Sequence, residues 1–426
     1  MSVPFFQHQK DIIVEDKKRF GLFLGTGSGK TRTAVALAKG PTLVICPKTQ
    51  MLDGTWSNEW DRQEKDNVLI VLSFEQFKKA LVDRSLYLMI MPETVIIDEA
   101  HKAAGATPYT RQKKYVKYPK TSQIFELLVK YLGEIQPKRV YPVTATPDAE
   151  PMKVWALATI LGCNWDFFKF RDTFYFEKTV RGRILYMVNA SKQNKELLAT
   201  LVRRIGYVGR LNDWFDVPEQ VWKEHVCGVS QAQQEKYEEL QLLYPDPMVQ
   251  VGKIHKLEQG LFEGDYVTET KLQVIEQYQK EFKKILIFAK YTDQINLYDR
   301  YFKKLGVKTY VLNGKTKNEV RKDMTKLADM EEEAVFISQS SVSAGWELPN
   351  FPCLIFASVS PSFVDFDQAI GRIQRVNNIK SNVYIFLLAG PVDKRAKMII
   401  DRKQSFSEAK FAAEFGKEIC QNKKLQ

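Results

Sequence analysis

A chain of 426 residues that is 44% apolar and 27% charged holds material for two or three globular cores, which excludes a single small domain or a disordered polymer. Lysine and arginine outnumber acids by 63 to 51, and a net charge of +12 favours a polyanionic partner, nucleic acid before an acidic membrane surface. The five cysteines form no C-x-x-C pair, which argues against zinc or disulfide frameworks and fits reduced thiols in a cytoplasmic setting; no apolar run approaches the roughly 20 residues that span a bilayer.

The first apolar run, at 20–24, leads into Gly25-Thr26-Gly27-Ser28-Gly29-Lys30-Thr31 and then an alanine-rich helical stretch at 34–38. Strand, glycine-rich turn and helix in that order make a phosphate-binding loop, because Gly27 and Gly29 let successive backbone N–H groups curl toward phosphate oxygens. Lys30 is expected to reach the β- and γ-phosphates of ATP, and Thr31 to help hold Mg²⁺. Leu24 stands where the full loop pattern has its first glycine.

Further apolar runs at 42–46, 68–72, 94–97 and 140–143 alternate with helical stretches, the mark of a parallel sheet covered on both faces, whose ligands bind at the carboxyl ends of its strands. Those ends carry Pro47-Lys48, Ser73, Asp98-Glu99-Ala100-His101 and Thr144-Ala145-Thr146-Pro147. Asp98 is expected to hold Mg²⁺ and Glu99 to polarise the attacking water. Between 102 and 120 the chain has six lysines and arginines, no acid, and three interleaved tyrosines. This basic loop, with Lys113, Lys114 and Lys117, reads as a nucleic-acid contact or as a solvated loop. The span 151–269 breaks the alternation and reads as a helical insertion and linker. From 270 to 426 the strand rhythm returns at 285–289, 308–312, 334–338, 352–357 and 383–388 without a second glycine-rich lysine loop, and the lysine-rich end from 417 is expected to fray.

Gly-x-Gly-Lys-Thr, then Asp-Glu-Ala-His, then Thr-Ala-Thr-Pro, in that order, resembles the motif set of superfamily two helicases and translocases. The stretch Leu43-Val44-Ile45-Cys46-Pro47-Lys48 with the later Trp56-Ser57-Asn58-Glu59-Trp60, and the segments around Val154-Trp155-Ala156-Leu157 and Val229-Ser230-Gln231, are similar to the Swi/Snf-like branch, the double-stranded DNA translocases. The resemblance implies an α/β fold of two RecA-like parallel-sheet lobes, 1–150 and 270–426, joined by the helical insertion. It further implies a DNA-dependent ATPase that uses ATP and Mg²⁺ and works as a monomer on duplex or branched DNA, with a strand-separating helicase as the alternative.

Carried over residue by residue, the resemblance makes Gln9 the adenine reader. His101, Thr144 and Thr146 become the coupling residues between ATP state and DNA grip. Asp367-Gln368-Ala369-Ile370-Gly371-Arg372-Ile373-Gln374-Arg375 resembles the Q-x-x-G-R-x-x-R motif, so Gln368 positions water or phosphate, and Arg372 and Arg375, three apart on a helix face, stabilise the transferring phosphoryl. Ser341, Ser343 and Gly345 fall in the motif that senses nucleotide and DNA, in a form with Glu347 that is closer to restriction and repair translocases. Pro47, Lys48 and Ser73 line the expected DNA groove, and Lys271 matches a lysine upstream of the second lobe's first strand.

Overall fold

The computed structural model describes residues 4–421 apart from 114, 181–182, 218, 245, 343–345, 375–380, 403–405 and 407. The chain divides into two compact units, Met1–Phe215 and Asp216–Gln426, each built on a six-stranded, wholly parallel sheet.

In the first unit the strands are β1 (Gly21–Leu24), β2 (Thr42–Cys46), β3 (Leu69–Ser73), β4 (Thr94–Asp98), β7 (Arg139–Val143) and β10 (Gly206–Gly209). Two antiparallel hairpins lie between them in sequence, β5 (Ala106–Lys113) with β6 (Val116–Thr121) and β8 (Tyr175–Val180) with β9 (Arg183–Val188). The sheet order is β10-β1-β7-β4-β2-β3. The strands are apolar on both faces for a packing reason. Leu22, Leu24, Val44, Ile96 and Tyr141 enter one core layer, and their neighbours Phe23, Leu43, Ile45, Val95 and Ile97 enter the other. Removing each such side chain from water contributes about 1.5–3 kcal/mol. The first helix, Gln7–Glu15, is fastened to this sheet from its far end. Asp16, left-handed at φ 45°, accepts two hydrogen bonds from Arg139 of β7 at 2.6 and 2.8 Å.

The second unit holds β11 (Gln220–Val226), the short pair β12 (Leu261–Phe262) and β13 (Asp265–Tyr266), then β14 (Lys284–Ala289), β15 (Thr309–Leu312), β16 (Ala334–Gln339), β17 (Cys353–Phe356) and β18 (Asn382–Leu388). Its sheet runs β11-β18-β17-β14-β16-β15, with helices such as Thr270–Phe282 and Thr292–Lys304 in the connections and Pro391–Asp401 after the last strand.

Three expectations need correction. The span 151–269 forms no body of its own. Its first part runs into β10, which pairs in register with the phosphate-loop strand (Gly21 with Gly206 through Leu24 with Gly209), and its last part includes β11, which pairs with β18 over seven residues. Strand pairing on either side of residue 215 therefore divides it between the two units. The basic stretch after Asp-Glu-Ala-His is a β-hairpin rather than a loop. The lysine-rich end does not fray up to Gln421: helix Glu408–Gln421 packs its buried Ile419 into the second core, and the Tyr237 hydroxyl donates to the Ile419 carbonyl at 3.0 Å. Among the described residues no helix is long and apolar enough to cross a membrane.

Candidate active site

The carboxyl ends of β1, β7, β4, β2 and β3 lie along one edge of the first sheet, so parallel register alone brings five separated sequence segments together. At the end of β1 the loop turns through Gly27 (φ 80°) and Gly29 (φ 79°), conformations that an L side chain adopts only with strain. At Gly29 space also forbids a side chain, since a Cβ would lie 2.3 Å from Nε2 of Gln9. Helix Lys30–Leu37 starts here, which aims its first N–H groups and the positive end of its dipole at the loop. Ser28 Oγ and Lys30 Nζ both donate to the Gly25 carbonyl, at 2.7 and 3.0 Å, and hold the curl.

Behind the loop, Gln9 is fully buried. Its Nε2 donates to the Gly29 carbonyl (3.2 Å) and to Thr33 Oγ1 (3.3 Å), and its Oε1 accepts from the Phe6 N–H (2.9 Å). The amide expected to read adenine is thus engaged with the loop's own framework. His8 beside it pairs Nε2 with the Ser28 carbonyl at 3.1 Å and stacks on Trp214 with centroids 4.0 Å apart. Trp214 comes from the turn after β10, a neighbour that no sequence pattern announced.

Asp98 ends β4 in a buried position. Oδ1 accepts the Glu99 N–H at 2.9 Å and Oδ2 accepts the indole N–H of Trp56 at 3.1 Å. Burial first, and the charge of Glu99 second, push its carboxyl up to about 7; those two donors and Lys30 offset the rise only in part. A buried carboxylate this reluctant to carry its charge alone suits a cation-binding position, the role expected of Asp98 together with Thr31. The sequence marks Trp56 only as part of the family-like segment 56–60. The signal for its role was Trp56 and Trp60 four apart, both buried on one face of helix Thr55–Arg62.

Glu99 is left-handed at φ 46°, a strained setting for a non-glycine residue that turns the chain sharply into helix Ala100–Ala103. Its Oε2 lies 3.3 Å from Nδ1 of His101, which lies 3.0 Å from Thr144 Oγ1, and Thr144 Oγ1 accepts the Thr146 N–H at 3.3 Å. Burial, with Lys153 and Lys102 adding to it, pushes His101 down to about 3, so the ring is neutral and the Glu99 contact is no ion pair. Lys153 also donates to the His101 carbonyl at 2.7 Å. The expected coupling residues therefore form one chain of contacts between the strand ends of β4 and β7.

The candidate nucleic-acid residues separate. Pro47 and the exposed Lys48 follow β2 and begin the short helix Lys48–Leu52, next to Ser73, whose strand pairs Cys46 with Ser73. Ser73 is buried and its hydroxyl accepts the Gln76 N–H at 3.1 Å, so it is spent on capping helix Phe74–Val82. Lys117 is exposed on the hairpin; Lys114 and the side chain of Lys113 lie outside the described residues.

In the second unit, Gln368 lies on helix Phe363–Ile370, and Arg372 follows the end of that helix. Arg372 is buried and donates from Nη1 to the Trp346 carbonyl (2.5 Å) and from Nε to the Gln368 carbonyl (2.9 Å). Arg375, Ser343, Gly345 and the side chain of Ser341 lie outside the described residues. Among the described residues one cluster has the spacing of metal ligands, His255, Glu258 and Asp393, but Lys271 Nζ sits 2.7 Å from Asp393 Oδ2, so the protein supplies that cation itself.

Residues 270–377 match the family described as the helicase conserved C-terminal domain. No curated protein sequence matches the chain. Among solved structures, the chain is similar to the Sulfolobus solfataricus SWI2/SNF2 ATPase core in complex with dsDNA, at 16% identity and a TM-score of 0.40, over 99% of this chain and 94% of that one.

Proposed function

We propose that the chain is a superfamily two motor that hydrolyses ATP and moves along duplex DNA in the manner of the Swi/Snf-like translocases it resembles, a reading supported by the match of residues 270–377 to the helicase conserved C-terminal domain. The observation that carries the reading is the continuous chain of contacts at the first sheet's edge, from Glu99 through His101 to Thr144 and Thr146, beside a glycine loop and a buried carboxylate raised to about 7. In this reading the group that acts on water is linked through side chains to backbone at the end of the neighbouring strand, β7.

In this reading the loop 25–31 and the start of helix Lys30–Leu37 bind the phosphates, and Lys30 exchanges the Gly25 carbonyl for phosphate oxygens. Thr31 and Asp98 hold Mg²⁺, which when bound neutralises charge on the phosphates. Glu99 orients water, and the neutral His101 passes any shift of Glu99 to Thr144. Gln9 keeps the loop's shape and reads adenine only by releasing part of its present network. Arg372 and Arg375 are proposed to stabilise charge on the transferring phosphoryl, which requires Arg372 to leave the Trp346 carbonyl. Lys48 and the basic hairpin supply backbone contacts to DNA, and a monomer in the cytoplasm suffices for all of these roles.

The test is ATP turnover with blunt duplex, single-stranded and forked DNA and with RNA, alongside triplex displacement and strand unwinding. Stimulation by duplex with triplex displacement is the expected result. Stimulation by RNA or single strands alone would overturn the duplex assignment.

A further inference from the structure

We propose that hairpin β5–β6 recognises unpaired DNA bases at a junction between duplex and single strand, and that Tyr115 at its tip is the stacking group. The inference rests on reading the protein as a DNA-dependent motor and goes beyond it, because it assigns a preferred DNA structure to a named side chain.

The hairpin is rigid where it joins the lobe. It leaves helix Ala100–Ala103 after two residues, and its ends are tied by the Ser122 N–H to the Gly105 carbonyl (2.6 Å), Thr107 Oγ1 to the Lys120 carbonyl (3.0 Å) and Arg111 Nη2 to the Thr121 carbonyl (2.9 Å). Gly105 is pressed so closely on Ser122 that a Cβ would meet its Oγ at 2.0 Å. The second hairpin braces the first: Tyr109 of β5 meets Tyr186 of β9 edge-on, with centroids 5.2 Å apart. Tyr186 is itself fixed by a hydrogen bond to Glu177 (2.8 Å) and by the Arg171 guanidinium over its ring.

On this braced stem the apolar groups at the tip face water. Tyr115 is 98% exposed and Val116 66%. The sequence from 102 to 120 holds no acid; Lys117 is exposed beside the tip and Lys120 and Lys102 are exposed toward the base, whereas Arg111 is occupied by Glu126 and Thr121. Such charge selects a polyanion, but lysines grip any phosphate backbone equally. An aromatic face adds something a lysine cannot, since it needs a flat partner. Inside B-form DNA every base face is covered by the next base pair. An unpaired base that can splay out to receive an aromatic ring on its face is available only in single strands and at forks, so basic strands topped by an exposed ring match DNA in which unpaired bases adjoin a duplex.

The test uses the full chain and a forked DNA with 2-aminopurine at the first unpaired position, compared with blunt duplex of equal length. The wild type is expected to quench the probe and to prefer the fork. Tyr115→Ala should lose the quench and about 5- to 100-fold of fork affinity, with blunt-duplex affinity within about twofold, while Tyr115→Trp retains both. Tyr115→Ala with wild-type quench and fork affinity would overturn the proposal, as would equal losses on fork and blunt duplex. Failure of the motor reading shows separately, as absence of ATP turnover with any DNA by a wild type that still quenches the probe.

Discussion

The two sheets place a buried aspartate at the same kind of location, the carboxyl ends of the strands, and treat it in opposite ways. At the end of β4, Asp98 is met by the N–H groups of Trp56 and Glu99, and burial and the Glu99 charge push it up to about 7. Past β18, Asp393 is equally buried, and burial also pushes it upward. There Lys271 and His255 more than offset the effect and hold it below the usual carboxylate range. Lys271 further donates to the Ala357 and Leu387 carbonyls and to Gln259 Oε1, so one ammonium closes the strand ends of β17 and β18 from within. The same architecture thus yields a sealed, self-neutralised edge in one unit and in the other a carboxylate that the chain's own groups compensate only in part. Only the second arrangement is useful to an ATPase.

The comparison breaks most clearly by the same substitution at both sites. Asp98→Asn is expected to lower ATP turnover by at least about 10³-fold, in line with loss of a phosphoryl-transfer metal ligand, while the melting temperature without nucleotide holds or rises. Asp393→Asn should instead unfold the second unit more easily by about 3–5 kcal/mol, because it leaves Lys271 buried without its carboxylate. Denaturant titration of both variants reads the contrast; equal destabilisation would erase it. Lys271→Met should resemble Asp393→Asn in size and site, and a stable Lys271→Met protein would show that the seal depends on the other hydrogen bonds.

Asp16 and Arg139 sharpen the point within the first unit, since this carboxylate carries its own cation. The paired Arg139 holds Asp16 well below the usual carboxylate range. The stabilisation is therefore fully present above the unfolded value near 4 and is lost as pH falls through the lower folded value. Asp16→Asn should cost about 1–3 kcal/mol at pH 7, less at pH 3, by chemical denaturation, with ATP turnover changed little. The last expected effect concerns His101 and shows only at acid pH. Its folded value of about 3 lies below the unfolded one near 6.5, so the unfolded chain binds a proton that the buried ring refuses. Stability should fall as pH drops from 6.5 toward 3, by at most about 1.4 kcal/mol per unit from this residue, and His101→Asn should flatten that slope.

What the sequence made legible follows from what local pattern encodes. The phosphate loop, the strand carrying Asp98 and Glu99, and all the main strands of both sheets except β10 and β11 were readable, because buried parallel strands are short apolar runs and a glycine loop has few physical readings. β10 and β11 were missed: Gly206–Gly209 is four residues with two glycines, and β11 alternates in burial as an edge strand does. The hairpin's charge was visible and its strands were not, since lysine and tyrosine in alternation do not distinguish strand from loop. Trp56 on Asp98, Lys153 on His101 and Trp214 on His8 all join residues distant in sequence, and only the tertiary fold creates those pairs. The buried state of Gln9 and Arg372 was likewise invisible, because a motif fixes residue type and not which carbonyl the side chain meets.

Steady-state ATP hydrolysis by the wild type and by Glu99→Gln, with and without blunt duplex DNA, tests the central claim most directly. The first-sheet edge as described predicts turnover that duplex DNA stimulates in the wild type and that falls to background in a Glu99→Gln protein of unchanged melting temperature. Hydrolysis by Glu99→Gln at the wild-type rate, or a wild type that duplex DNA leaves unstimulated, would contradict it.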